Sequence, residues 1–313
     1  MQKWGTNRNG SVRFRCSFCG KSQTRKRVDL RQKYRQQLFG KWLLSKQSLD
    51  EIAKLYGIKR QTLHSWFTPF WQITPLPSEV DIRDKVIIID GKGLERNATV
   101  LIASTPNQVA SWMFAERENA TSWSVFLGNF KHIPFAIVCD GQRGMLKTIK
   151  EVFPRVIVQR CQFHVISYCQ TKLTKKPESE AAQELRLLVG MITGVKTKQQ
   201  LKEWFFFYRN WYQAHHEFLK EKTYQEYNLT PTGRKRWHYT HGKLHAAHSH
   251  LRNSLPNLFK YLLYPQIPNT TNFVEGAINS QLQEKLRFHR GLNLPKRQVL
   301  TAHFLASKQV PNH

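Results

Sequence analysis

Aspartate occurs only six times in 313 residues, at Asp29, Asp50, Asp81, Asp84, Asp90 and Asp140. Two of the six end apolar runs of one form, Val86-Ile87-Ile88-Ile89-Asp90-Gly91 and Phe135-Ala136-Ile137-Val138-Cys139-Asp140-Gly141. A short β-branched run closed by an acid and a glycine reads as a buried strand emerging at a site. Two such strands side by side would bring their carboxylates within reach of shared cations. Mg²⁺ takes oxygen ligands, keeps several waters and typically uses one or two carboxylates plus substrate phosphate. Two ions roughly 3.5–4 Å apart stabilise both the attacking and the leaving oxygen of an in-line phosphoryl displacement. A third acid from a helix would complete the cage. Glu275 is the natural candidate, on the first turn of a helix that Asn269-Thr270-Thr271-Asn272 would start. Asp-Gly by itself is a common turn signal, but two of them on equivalent strands favour the metal reading.

The elements that must position these acids form a mixed α/β pattern. Strands are expected over 98–104 and 108–116, and a helix over 121–131 entered by Thr121 or Ser122. Another helix is expected from Arg143 to Phe153, stopped at Pro154, then a strand at Val156-Ile157-Val158. Residues 84–164 thus read as the first part of a mixed-sheet core. Over 165–268 the strand signals give way to long helical patterns, read as an all-helical insertion, and 269–313 as C-terminal helices returning to the core. Cys161 and His164 have the look of half a zinc site, but no second pair lies nearby in sequence. His164 is read as a supporting active-site group, because imidazole can donate to a scissile phosphate or orient a carboxylate.

The N-terminal third carries binding features. Residues 1–30 form a partial zinc-ribbon-like segment in which Cys16-Ser17-Phe18-Cys19-Gly20 is one metal knuckle. No other cysteine precedes Cys139 and the first histidine is His64, so four zinc ligands cannot be collected locally. Residues 31–70 contain a helix-turn-helix pattern. Ser48 caps a short helix with Glu51 as its capping-box partner, Gly57 permits the turn, and Lys59, Arg60, Gln61 and Thr62 open the second helix. An ordinary helical hairpin is the competing reading. Residues 68–83, with Pro69, Pro75 and Pro77, read as a linker.

Charge favours DNA as the partner. Lys and Arg number 49 against 21 acids, a net charge of +28 on a chain with a core-forming 40% hydrophobic content. In the insertion, Arg236 and Trp237 suggest phosphate contact and stacking on an unpaired base. The histidines there (His215, His216, His238, His241, His245, His248 and His250) read as helix faces and phosphate contacts more readily than as a metal site. No apolar run approaches the roughly 20 residues of a membrane span. The basic N-terminus has no apolar segment of a secretory signal, and five cysteines do not make a disulfide framework.

On these residues the chain resembles bacterial insertion-sequence transposases of the Mutator-like type. The likeness is carried by Asp90-Gly91, Asp140-Gly141, the stretch Phe153-Pro154 to Gln159-Arg160-Cys161-Gln162-Phe163-His164, and Thr271-Asn272-x-x-Glu275. It covers about residues 84–290, and the Cys161-x2-His164 pair is its most specific part. The resemblance implies an RNase H-like catalytic core with the triad Asp90, Asp140 and Glu275 holding two Mg²⁺ ions, for which Mn²⁺ can substitute. It implies cleavage at the element's ends and transfer of the freed 3′-hydroxyl to target DNA. The expected partners are double-stranded end and target DNA in a bacterial cytoplasm, handled by at least a dimer, with no membrane. Two alternatives stay open: a non-catalytic helix-turn-helix regulator, and a nuclease or resolvase on the same core.

Overall fold

The computed structural model describes residues 1–8, 10–24, 28–229 and 235–309. At the N-terminus, β1 (Gln2–Thr6), β2 (Val12–Arg15) and β3 (Ser22–Thr24) form an antiparallel three-stranded sheet in that order. Next come α1 (Val28–Leu44), α2 (Leu49–Leu55) and α3 (Arg60–Phe67). The expected capping box forms: Glu51 N donates to Ser48 Oγ, and Ser48 N donates to Glu51 Oε2. Such caps stabilise a short helix by roughly 1 kcal/mol. Leu63 and Phe67 of α3 are buried against Phe39 and Trp42 of α1.

The proline-bearing stretch is more ordered than a linker. Thr68–Gln72 forms a 3₁₀ turn whose Phe70 is buried and whose Trp71 packs edge-on to Phe39 at 5.1 Å. Ser78 exchanges two hydrogen bonds with the Gln309 side chain. Aromatic burial outweighs the proline signal here.

The catalytic-sized core follows: β4 (Val86–Glu95), β5 (Ala98–Ser104), β6 (Val109–Ala115), α4 (Ala120–Gly128), β7 (Ala136–Cys139), α5 (Arg143–Val152) and β8 (Ile157–Arg160). The sheet order is β6-β5-β4-β7-β8; β4, β5 and β6 pair antiparallel, and β4, β7 and β8 pair parallel. α4 is capped by Asn119, whose Oδ1 accepts from Ser122 N, not by Thr121 or Ser122 as expected. Asn119 is the better cap because its carbonyl oxygen reaches the free N–H groups of the first turn.

Strand alternation sorts the side chains. Ile87, Ile89, Leu101, Ala103, Ile137 and Cys139 face α4 and α5, whereas Val86, Ile88, Val100, Ile102, Ala136 and Val138 face the helices at the C-terminal end.

The insertion contains α6 (Gln162–Leu173), α7 (Glu180–Met191), α8 (Lys198–Lys220), β9 (Lys222–Leu229), β10 (Lys235–Tyr239) and α9 (Gly242–Ser254). It is therefore not all-helical: β9 and β10 form an antiparallel hairpin. Its physical basis is cross-strand pairing of β-forming residues. Trp237 pairs with Tyr224, Lys222 Nζ lies 4.0 Å from the Trp237 ring centre, and the Thr223 and Thr240 hydroxyls bond at 2.9 Å. The chain then returns to the core as a π-helical segment, Phe273–Ser280, followed by α10 (Gln281–Phe288) and α11 (Leu294–Ala306). Val274, Ile278, Leu282, Val299 and Leu300 pack on the Val86/Ile88 face of the sheet.

Candidate active site

The β4–β7 register runs Val86↔Ala136, Ile87↔Ile137, Ile88↔Val138. Asp90 and Asp140 lie two residues beyond the last of these pairs, at matching positions on parallel neighbours, and alternation sends both toward the C-terminal helices. Asp140 Oδ1 accepts from Gln142 N at 3.0 Å, which fixes the carboxylate over the turn. Gly141 makes that turn at φ +82°, and the Arg160 guanidinium lies where a Cβ would stand. Arg160 Nη2 in turn donates to the Asp140 carbonyl at 3.1 Å.

The opposing wall comes from the π-helical segment and the start of α6. Glu275 Oε1 lies 2.5 Å from Thr271 Oγ1 and 3.7 Å from His164 Nδ1. Thr271 also donates its backbone N–H to Cys161 Sγ at 3.3 Å, and its hydroxyl lies 3.2 Å from that sulfur. The hydroxyl has one proton, so it serves either the carboxylate or the sulfur at any instant. Asn279, one turn past Glu275, donates Nδ2 to Asp90 Oδ2 at 2.6 Å and so ties the two walls together.

Burial lifts the Asp90 carboxyl to about 6, reinforced by the Asp140 and Glu275 charges and opposed by His164 and the Asn279 bond. His164 is raised to about 9, first by the Cys161 sulfur and then by Glu275 and Asp90, against the effect of burial. Burial works against ionising Cys161, but the hydrogen-bonding groups of His164 and Thr271 outweigh it and leave the thiol below its ordinary range. His164 therefore sits as a cation between anionic groups, and its Nδ1 is buried without a hydrogen-bond partner of good geometry.

One acid was missed by the sequence reading. Glu118, between β6 and α4, rises to about 7 through burial and the charges of Asp140 and Asp90. Its flanks, Glu116-Arg117, read as an ordinary charged loop, and nothing local marks it. The only hint is Gly91, whose missing side chain leaves room for the Glu118 carboxylate.

Asp90, Asp140 and Glu275 offer only carboxylate oxygens, the donor chemistry of Mg²⁺ and Mn²⁺. Among the described residues, Cys161, His164 and Glu275 form a tighter group, with ligand atoms all within 4.8 Å of one another. That sulfur, nitrogen and oxygen set suits a softer ion, yet the Cys161 sulfur is already engaged by Thr271. At the N-terminus the segment between the two cysteines closes as a turn, with Cys16 N donating to Lys21 O and Gly20 N to Cys16 O. Backbone N–H groups of Cys19 and Phe18 hold the Cys16 thiol below its ordinary range. No third ligand joins Cys16 and Cys19 among the described residues.

Lys59, Arg60, Gln61 and Thr62 are all exposed at the start of α3, and Arg60 Nε lies 3.5 Å from Asp50. Arg236 and Trp237 are exposed on β10, away from the acids in sequence and on their own hairpin. The insertion's histidines are mostly paired: His215 with Glu184, His241 with Glu221, and His248 with Tyr208. No helix among the described residues is long and apolar enough to cross a membrane.

Among curated proteins no significant match is found. The family model described as transposase, Mutator family, matches residues 84–252, from just before β4 to the end of α9 and just over half of the chain. The match spans Asp90, Glu118, Asp140, Cys161 and His164 and stops before Glu275, so sequence and geometry agree on the part they share: the chain belongs to the Mutator family of transposases.

Proposed function

We propose that the chain is a DDE-type transposase with an RNase H-like core, which cleaves strands at the ends of an insertion sequence and joins them to target DNA. The observation that carries this reading is that Asp90, within β4, and Asp140, just past the end of β7, hold matching positions on parallel neighbours, while Asn279 of the π-helical segment that bears Glu275 bonds to Asp90. The order β6-β5-β4-β7-β8, with three antiparallel strands followed by two parallel ones, supports the RNase H-like assignment.

In this reading Asp90, Asp140 and Glu275 hold divalent cations. Two Mg²⁺ ions, when bound, supply the charge that stabilises attacking and leaving oxygens during phosphoryl transfer. The chain's own residues do the rest. Asn279 keeps the Asp90 carboxylate oriented, and Thr271 does the same for Glu275. The His164 imidazolium, held with Nδ1 3.7 Å from Glu275 Oε1, sets a positive charge beside the acids and the phosphate at the cut. The exposed cationic surface, including Lys59 and Arg60, holds the DNA backbone, and Trp237 on its hairpin stacks on an unpaired base. Cys16 and Cys19 offer two of the four ligands that a structural zinc site needs. A non-catalytic regulator would have no use for carboxylates at matching positions on neighbouring strands, which repel DNA phosphate unless cations neutralise them.

The experiment is strand cleavage and joining with Asp90→Asn, Asp140→Asn and Glu275→Gln in Mg²⁺. Each substitution is expected to abolish chemistry while leaving DNA binding largely intact. Retained transposition in any one of them removes that residue from the triad.

A further inference from the structure

Residues 85 to 91 alternate strictly across the sheet, so Gly91 points to the face opposite Asp90, toward α4. A Cβ at Gly91 would collide with both carboxylate oxygens of Glu118. The Glu118 carboxylate thus lies directly on the strand backbone, one residue from Asp90. The loop that delivers it is pinned at three points. Ser122 Oγ donates to Arg117 O at 2.8 Å, Asn119 Oδ1 accepts from Ser122 N at 2.9 Å, and Thr148 Oγ1 donates to Ala120 O at 3.1 Å.

Such scaffolding around a half-buried acid calls for a counter-charge. The chain carries 49 Lys and Arg against 21 acids, yet among the described residues Glu118 makes no ion pair; its charged neighbours are Asp140 and Asp90, and only the neutral Trp123 and Gln142 side chains hydrogen-bond toward it. A carboxylate placed beside two others is relieved either by a proton, as its rise to about 7 shows, or by an external cation, which would keep all three acids ionised at neutral pH. The Gly91 contact places Glu118 against the strand that carries Asp90, and Asp140 and Asp90 are the charges it meets there.

We propose that Glu118 is a fourth carboxylate of the active site, binding, directly or through a water, a divalent cation shared with Asp140 and Asp90 on the side away from Glu275. Gly91 is then required as the residue that lets Glu118 reach it. This assignment rests on reading the site as a metal-dependent phosphoryl-transfer centre.

The test uses the full chain with Mn²⁺ alone, counted by electron paramagnetic resonance, and the Mg²⁺ dependence of cleavage on a plasmid carrying the coding sequence with its flanking DNA. Wild type is compared with Glu118→Gln, Gly91→Ala and Asp90→Asn, with thermal melting to verify folding. Glu118→Gln is expected to weaken one of two Mn²⁺ ions and to raise the half-saturating Mg²⁺ by roughly 10-fold or more. Gly91→Ala, which changes no charge, is expected to do the same by displacing Glu118. If Glu118→Gln matches wild type in both readouts while Asp90→Asn loses metal, the Glu118 assignment is overturned and the metal centre stands. If Asp90→Asn also matches wild type, the metal-centre reading falls with it.

Discussion

Asn279 Nδ2 donates to Asp90 Oδ2 at 2.6 Å across 189 residues of sequence. The bond joins the C-terminal π-helical segment to the central strand and holds the most buried acid of the site in one orientation. It also favours the ionised carboxylate, since it lowers a pKa that burial raises. Asn279→Ala is expected to push the Asp90 carboxyl further up. A hydrogen bond to a charged group is worth roughly 1.5–3 kcal/mol, so the acid limb of the cleavage–pH profile should move up by about one to two pH units. An unshifted limb with an unchanged maximum rate would show that the bond plays no part in placing Asp90.

Asp90 also makes the metal-free protein less stable as pH rises. Its carboxyl titrates near 3.8 in the unfolded chain and at about 6 in the folded one. Below about pH 4 it is protonated in both states and costs nothing. Between those values the unfolded chain ionises first and folded stability falls; above about 6 the full cost is present, up to about 3 kcal/mol at 1.36 kcal/mol per pH unit. Asp90→Asn should therefore melt above wild type at pH 7.5 without metal and alongside it near pH 4. Added Mg²⁺ should reverse the order at pH 7.5, because only wild type retains the full ligand set. Equal melting at both pH values would contradict the burial of this charge.

The parts of the site legible in sequence were those governed by local pattern. Ile87 and Ile89 alternate with Ile88 up to Asp90, and the same alternation leads to Asp140, so strand and face could be read together, but the strand expected to end at Asp90 runs on to Glu95 because Asp90 to Glu95 continue the pairing with β5. Ser48 and Glu51 announced their capping box by spacing alone. Glu275 was legible through caps and family likeness, although its helix is π-wound. Glu118 and Asn279 were not legible, because each is placed by a contact with β4 that no local spacing encodes. The β9–β10 hairpin escaped for a different reason. Its alternation of Thr223 and Tyr224 with polar neighbours is short and sits among helices rich in aromatics, where periodicity cannot tell a strand from a helix face.

The Cys161–His164 pair explains why a motif resembling half a zinc site belongs beside the acids. The sulfur keeps His164 charged, and the thiol is itself drawn below its usual range by its partners. His164 adds stability that is fully present below pH 6.5 and is lost as pH rises through about 9. Cys161→Ser retains a partner for Thr271 but removes the sulfur that raises His164, so His164 should return toward its ordinary range. The alkaline limb of cleavage should then fall from near pH 9 to near neutrality, and the imidazole proton resonances followed by NMR should titrate with it. A limb that stays near 9 would mean that Glu275 and Asp90 alone hold the imidazolium.

In the proposed function, recognition of the element's end falls to the exposed N-terminal turn of α3. Leu63 and Phe67 anchor the helix in the core and leave Lys59, Arg60, Gln61 and Thr62 facing solvent. Arg60 is paired with Asp50 at 3.5 Å, with both side chains more than half exposed, and such surface pairs are worth at most about 1 kcal/mol. Release of Arg60 to a DNA phosphate or base therefore costs little. Lys59→Ala and Arg60→Ala should each weaken binding to the element's end by roughly 10-fold, and loss of one phosphate contact should flatten the slope of log affinity against log salt by about 0.9. Asp50→Ala should leave binding equal or tighter, since it removes a competing acid. If all three bind with wild-type affinity and salt dependence, α2 and α3 serve as packing for α1 and α11, and the DNA-end contacts lie on another face.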